Sequence, residues 1–195
     1  MDKPDITTLT AAADALLETT ENPRHRQILM NYRRHALLEV SGNWQPILEP
    51  AMTVAEPHYR MSFAGVSADL RGAQACAGFY TNLIAGGSQV FWGDDEQIFV
   101  SDLGFASEAL SHQYLQGAVL REMGEDVDPA CLYVKRVDVM MMWPYDERGR
   151  LIGEHVVEAG RPELIEVTDE QFITPAEAAE KLMPLIRPLP PYAPA

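Results

Sequence analysis

The order of patterns along this chain constrains its fold more than any single motif does. Helical periodicity dominates as far as Gly87, and long runs of β type occupy Gln89 to Ala159. In "ITTLTAAADALLET", Leu9, Ala13, Leu16 and Leu17 recur at helical spacing, which predicts a short helix over Ile6–Thr19 that stops near Asn22 and Pro23. A second helix is predicted from Arg24 to Val40, with Ile28, Leu29, Tyr32, Ala36 and Leu37 on one stripe and Gly42 beyond its end. The stripe turns Tyr32, with His35 close to it, toward whatever the helix covers. A third helix is predicted from Ala73 to Ile84, closed by Gly86 and Gly87. Between the last two, "TVAEPHYRMSF" (Thr53–Phe63) reads as a strand and "GVSADLRG" as a loop.

Strands follow. "QVFWGDDEQIFVSDLGFASEALSHQYLQGAVL" predicts a strand pair interrupted at Gly93 to Glu96 and bent near Gly104, and "LYVKRVDVMMMWPYDERGRLIGEHVVEA" predicts a hairpin turning at Asp146 to Gly149. In "TPAEAAEKLMPLI" Thr174 stands as N-cap, Pro175 at the first helical position and Glu177 where it completes a capping box. "RPLPPYAPA" cannot continue that helix and predicts an extended arm, of a kind suited to wrapping a neighbouring subunit. Helices first and a sheet after them give an α+β fold, with the helices closing over one face of a bent antiparallel or mixed sheet to make a pocket. With 195 residues and neither an internal repeat nor a linker, the chain reads as a single domain.

Charge narrows the partners. Fifteen basic residues against twenty-nine acidic ones leave a formal charge of −14, which repels both nucleic acid and anionic bilayers. "MDKPDITTLT" lacks a basic then apolar leader, and no run approaches the roughly 20 apolar residues of a membrane span, so a cytoplasmic protein is expected. Cys76 and Cys131 belong to no CxxC pair and read as buried thiols. His25, His35, His58, His112 and His155 show no HxH or HxxxH spacing for a metal, and neither GxGxxG nor a Walker lysine motif is present. The expected chemistry needs no cofactor.

The candidate site residues begin inside Thr53–Phe63, where Glu56, His58, Tyr59 and Arg60 break an apolar run. This polar stretch is either a strand end turned to water or the wall of a pocket. His58 and Arg60 share one strand face and Tyr59 the other, but Pro57 can shift that register, so all three stand as candidates. Asp138 shares parity with Val134, Met140 and Met142, so it either sits among apolar groups and donates a hydrogen bond, or faces water beside Lys135 and Arg136. Glu108 and His112 share parity and form a charge pair either inside the curve or on its outer surface. His155 shares parity with Leu151 and Val157 on an apolar face. Tyr32, Trp44, Phe63, Phe79, Tyr80, Trp92, Met140, Met142 and Trp143 offer packing surface to a hydrophobic substrate or to the core.

Taken together with the order of elements, "LEVSGNWQPILEPAMTVAEP", "LRGAQACAGFY", "SDLGFASEAL" and "YDERGRLIGEHVVEA" resemble the nuclear transport factor 2-like superfamily, particularly its SnoaL-like and ketosteroid isomerase branches, over Arg24 to Ala159. The resemblance implies a conical, strongly curved sheet wrapped by helices around a deep apolar cavity, and often a homodimer or higher homo-oligomer. "TVAEP" looks like the segment where ketosteroid isomerases carry the catalytic carboxylate, which lays Glu56 on the proton-shuttling position. "VDVMMMWPYDERGR" looks like the strand with a protonated aspartic acid in the oxyanion hole, which lays Asp138 there and His35 near the position of the oxyanion-hole tyrosine. "EHVV" stands where SnoaL-like cyclases have "EHW" and a catalytic aspartate.

The implied function is a cofactor-independent lyase or isomerase acting on a small apolar, aromatic substrate. Glu56 or Tyr59 would move the proton, Arg60 would hold a phenolate or hydroxyl, and Asp138 with His35 would stabilise negative charge. Its sharpest version resembles the diarylpropane lyases, which turn lignin-derived diaryl diols into stilbenes with release of formaldehyde. The alternatives are a SnoaL-like cyclase or dehydratase, a non-catalytic carrier or sensor of an apolar ligand, and an interaction protein using the open sheet face.

Overall fold

The computed structural model describes residues 2–63 and 66–192. Gly65 of the expected loop and the last three residues of the expected arm lie outside them. Six strands form one open sheet, β1 (His58–Phe63), β2 (Val66–Arg71), β3 (Phe91–Ser101), β4 (Gly104–Gln116), β5 (Leu132–Pro144) and β6 (His155–Val167). Their order is β2-β1-β6-β5-β4-β3, with β1 parallel to β6 and every other pair antiparallel, so the sheet is mixed. Helices α1 (Ala11–Thr19), α2 (Pro23–Val40) and α3 (Ala73–Ala85) precede its long strands, and α4 (Gly117–Glu122) and α5 (Pro175–Leu182) follow β4 and β6. Among the described residues no helix is long and apolar enough to cross a membrane.

Local chemistry sets the helix ends. The Asn22 side chain accepts from the backbone N–H groups of Arg24 and His25 at 2.9 and 3.3 Å, and Pro23 opens the first turn of α2. Thr174 caps α5 through the Glu177 N–H, as the sequence predicts. The Glu177 carboxylate, however, reaches Lys3 and Lys181.

The long strands separate two faces. β4 and β5 pair without a slip, so Phe105 and Trp143, Ser107 and Met141, and Ala109 and Val139 share one face. Phe105 and Trp143 pack on Tyr32 of α2 at centroid distances of 4.3 and 5.6 Å, and the main core of Ile28, Tyr59, Met61, Tyr80 and Val156 continues from them. The other face carries Asp138, Met140 and Met142, opposite Leu110, Glu108 and Ala106. Toward the Gln116 and Leu132 ends of these strands lies a second core of Ile6, Leu37, Val40, Tyr114, Val134, Phe172 and Leu182.

Several expectations are corrected. The first helix divides into a 3-10 turn (Ile6–Thr8) and α1. Residues 66–71 of the expected 65–72 loop form β2, whose Ala68 and Leu70 alternate toward the main core. β6 runs past Ala159 to Val167, because Gly160, at φ 89°, absorbs the register shift between Arg136 and Asp138. The six-residue α4 was not anticipated from the sequence. Cys76 is buried as expected, but Cys131 is only half-buried. The arm, up to Tyr192, lies on its own chain. Gln27, Arg33 and Arg34 of α2 donate to the carbonyls of Pro190, Leu185 and Arg187, and Ile186 and Leu189 pack on the main core.

Candidate active site

Five ionisable or phenolic side chains converge between α2, α3 and the sheet. Glu154 immediately precedes β6, and the backbone clamps it there: His58 N bonds Ile152 O at 2.9 Å and Arg60 N bonds Glu154 O at 2.7 Å. The approach is so close that a Cβ built on Gly153 would lie 1.9 Å from the His58 carbonyl oxygen. Tyr59 alternates with His58 and Arg60 along β1 and therefore points inward. Tyr80 lies one turn beyond the buried Cys76 on α3. His35 and Glu39 lie one turn apart on α2, on the stripe that begins with Ile28 and Tyr32.

The Tyr80 hydroxyl is the hub. It donates to Glu154 Oε1 at 2.7 Å and lies 3.0 Å from His35 Nε2 and 3.1 Å from the Tyr59 hydroxyl. His35 Nε2 is also 3.3 Å from Glu154 Oε1 and 3.4 Å from Glu39 Oε2. A consistent proton assignment places hydrogen on His35 Nε2, donating to Tyr80, while Tyr80 donates to Glu154. It leaves His35 Nδ1, which has no partner among the described residues, as a bare lone pair. The imidazole packs on Trp143 at 4.6 Å, and Trp44 stacks on Tyr80 at 5.5 Å.

Burial controls the electrostatics. His35, Tyr59 and Tyr80 are 0% exposed, Glu154 3% and Glu39 7%. Desolvation pushes Glu39 up to about 8 and Glu154 up to about 7, with nearby His35 pulling Glu154 back down and Glu39 pushing it up. Desolvation also lowers His35, against the pull of Glu154, and raises all three of Tyr59, Tyr80 and Cys76. The short His35 to carboxyl distances therefore join a neutral imidazole to carboxyls that retain protons near neutrality. Such a centre holds both a proton donor and a proton acceptor at one pH.

Of the residues singled out from the sequence, His35 and Tyr59 lie in this cluster, while Trp44 and Phe79 contact Tyr80. Phe63 is half-buried against the same core, and Tyr32 sits beside it with its hydroxyl donating to Glu96 at 2.5 Å. The others lie elsewhere. Glu56 is exposed ahead of β1, because Pro57 leads into the strand with Glu56 still outside it. Asp138, Met140 and Met142 belong to the exposed sheet face, so Asp138 faces outward rather than into a pocket. Glu108 shares that face in exposed form, while His112 is 7% exposed and stacks on Trp92, so the two make no charge pair. His58, Arg60 and His155 form an outward cluster with Asp69: His58 Nε2 lies 3.0 Å from Asp69 Oδ1 and Arg60 Nη2 lies 2.9 Å from His155 Nε2. In β6 it is Val156 that faces in, so His155 and Val157 face out.

Sequence reasoning missed Glu154, Glu39 and Tyr80 as chemical groups. A signal existed for Glu39, which continues the spacing of Ile28, Tyr32 and His35. Glu154 shares parity with Val156, but period two does not say which parity is inward.

No family model matches the chain, and no curated protein matches it. Solved structures do. They include a phenazine biosynthesis-related protein from Pseudomonas aeruginosa (9% identity, 79% of this chain and 81% of that one, TM-score 0.41). A protein of cystatin-like fold from Methylobium petroleophilum is 15% identical over 74% of this chain and 88% of that one, with TM-score 0.44. A protein of the NTF2-like family from Streptomyces avermitilis is 13% identical over 52% and 68%, with TM-score 0.36. The likeness is of low identity and low TM-score throughout. No residue role follows from it.

Proposed function

We propose that the protein is a cofactor-independent lyase or isomerase that moves a proton on a small apolar, aromatic substrate, with the cluster around Tyr80 as its acid–base centre. The observation that carries this reading is a carboxyl, Glu154, raised to about 7 and hydrogen-bonded to a buried phenol. Glu154 takes or returns the proton, Tyr59 donates to an oxygen that gains negative charge, and Tyr80, held in place by His35 with Glu39, donates to Glu154. Trp44 and Phe79, half-buried against Tyr80, present aromatic surface to the substrate. Proton donor and acceptor side by side also suit a dehydratase or cyclase.

The sharpest form of the reading is conversion of a 1,2-diarylpropane-1,3-diol into a stilbene with loss of formaldehyde. One buried acid expels the benzylic hydroxyl, and a base removes the proton of the terminal hydroxyl as the carbon–carbon bond breaks. The test is to mix purified protein with such a diol and follow stilbene absorbance and formaldehyde together. Turnover that survives both Glu154→Gln and Tyr80→Phe would overturn the assignment of this centre.

The reading includes a homo-oligomer joined through the open sheet face. Met140, Met142, Val157 and Phe99 are about half or more exposed on that face. Arg60, His58 and His155 stand on its β1–β6 side and Glu108 and Asp138 on its β4–β5 side, a pattern that complements itself when two copies meet.

A further inference from the structure

The open face of the sheet is ordered by its register. Arg60, His155, Met142, Ala106 and Phe99 are cross-strand neighbours in one row over β1, β6, β5, β4 and β3, and Ser62, Val157, Met140, Glu108 and Gln97 form the next. Phe99, Met140, Met142 and Val157 are about half or more exposed there. An apolar band therefore separates a basic flank on β1 and β2 from an acid, Glu108, on β4.

The basic flank is unevenly compensated. Asp69 Oδ1 lies 3.0 Å from His58 Nε2 and 2.9 Å from Arg71 Nε, so two basic groups share that one carboxylate. Arg60 turns instead to His155, its Nη2 lying 3.0 Å from Nδ1 and 2.9 Å from Nε2. A nitrogen equally near both ring nitrogens cannot lie in the ring plane without overlapping the carbon between them, so it sits over the imidazole face. There it opposes a proton on the ring. The His58 ring stands 6.5 Å from that of His155, and the neighbours from β5, Met142 and Met140, carry no charge. Burial first, then Arg60 and His58, hold His155 below the usual imidazole range.

The strand order fixes what a second copy meets. In the run β1-β6-β5-β4, a two-fold axis along the strands between β6 and β5 lays β1 of each copy across β4 of the other. The apolar band then covers itself. Glu108 of the second copy stands one row away from Arg60, about 7 Å along the strand and within reach of an arginine side chain. Drawn to that carboxylate, the guanidinium leaves the His155 ring.

We infer that two copies associate through this face in a proton-linked manner: Glu108 of the second copy takes Arg60, His155 gains a proton, and the dimer tightens as pH falls. The linkage rests on the homo-oligomer proposed above. In the separate chain His155 titrates below its ordinary value, and in the dimer the departure of Arg60 and the arrival of Glu108 raise it. Between those two values association takes up protons, so acid favours it. Symmetry doubles the effect, since each interface holds two such sites.

The test is sedimentation equilibrium of the whole protein at about pH 7.5 and about pH 5.5 in about 150 mM salt, where the repulsion arising from a charge of −14 is largely screened. The dissociation constant is expected to fall about tenfold or more from the higher pH to the lower. His155→Gln should flatten that dependence. Glu108→Gln, on an exposed position that tolerates the change, should flatten it too and weaken the dimer about fivefold at the lower pH. His25→Gln, on α2 and paired with Asp102, should keep the wild-type dependence. A dimer whose constant does not move with pH, or moves equally in the His155→Gln and His25→Gln variants, would overturn the linkage and leave the homo-oligomer standing. A monomer at both pH values would overturn the two together.

Discussion

The hydroxyl of Tyr80, from α3, and the carboxyl of Glu154, from the residue before β6, meet at 2.7 Å with 73 residues of chain between them. Both groups are buried, so the contact replaces water for each of them and fixes where a proton can reside.

Replacing Glu154 by glutamine keeps the side-chain volume but removes the titrating group. With any substrate turned over by the protein, Glu154→Gln is expected to lower kcat by about 10²–10⁴-fold with little change in KM, and to abolish the inflection near pH 7 in the rate profile. Tyr80→Phe should cost less. Asp138→Asn and Glu56→Gln, both on exposed positions, should leave kcat within about twofold. A large loss in Asp138→Asn would put the chemistry on the wrong face of the sheet.

Stability should fall as pH rises from neutrality. Glu154 and Glu39 have folded-state values of about 7 and about 8 against 4.5 when unfolded, so the folded chain binds more protons between those limits. Their stabilisation is complete below 4.5 and disappears as pH passes about 8. His35 works in the opposite sense, since its lowered value removes stability only as pH falls below 6.5. Urea unfolding at intervals from pH 6.5 to 8.5 should show a decline of a few kcal/mol, and a Glu39→Gln, Glu154→Gln double variant should flatten it. An equal decline in both proteins would locate the titration elsewhere.

Gly153→Ala should unfold the junction that carries Glu154. The added carbon would meet the His58 carbonyl oxygen at 1.9 Å, and its three nearest atoms are all His58 backbone, so β1 and the start of β6 must separate. A drop of roughly 3 kcal/mol or more is expected in chemical denaturation. Gly78, with nothing within 4 Å of its added carbon, is the control, and Gly78→Ala should be neutral or slightly stabilising. Similar effects at both positions would mean that the close approach does not matter.

Sedimentation should report on the exposed face. Met142→Lys places a charge among Met140, Val157 and Ala106, and is expected to shift the protein from dimer to monomer without loss of helix or strand signal. Wild-type protein sedimenting as a monomer at high concentration would remove the oligomer from the proposed function.

Much of the fold was legible in local pattern. The spacing of Ile28, Tyr32 and His35 determined α2, Thr174 with Pro175 determined the start of α5, and alternation in "VDVMMMW" determined β5. Each of these signals depends on neighbours within a turn or a hairpin, where backbone geometry alone dictates which side chains share a face. "VSADLR" alternates as well, and its reading as a loop failed only because six residues with Gly72 behind them resemble a turn.

The candidate site was only half legible, and the reason is the same period of two. Alternation identified pairs of faces, Tyr59 against His58 and Arg60, Glu154 and Val156 against His155, but either face could be the buried one. Helices α2 and α3 decided it by covering the side with Tyr59, Met61 and Trp143, which left Asp138, Met140 and Met142 outside. The sequence by itself determined that helices and an amphipathic sheet would form and that acids, phenols and imidazoles lay at their edges. Only tertiary packing removed water from Glu154, Glu39 and His35 together, and desolvation acts on a group through everything around it, most of which is distant in sequence.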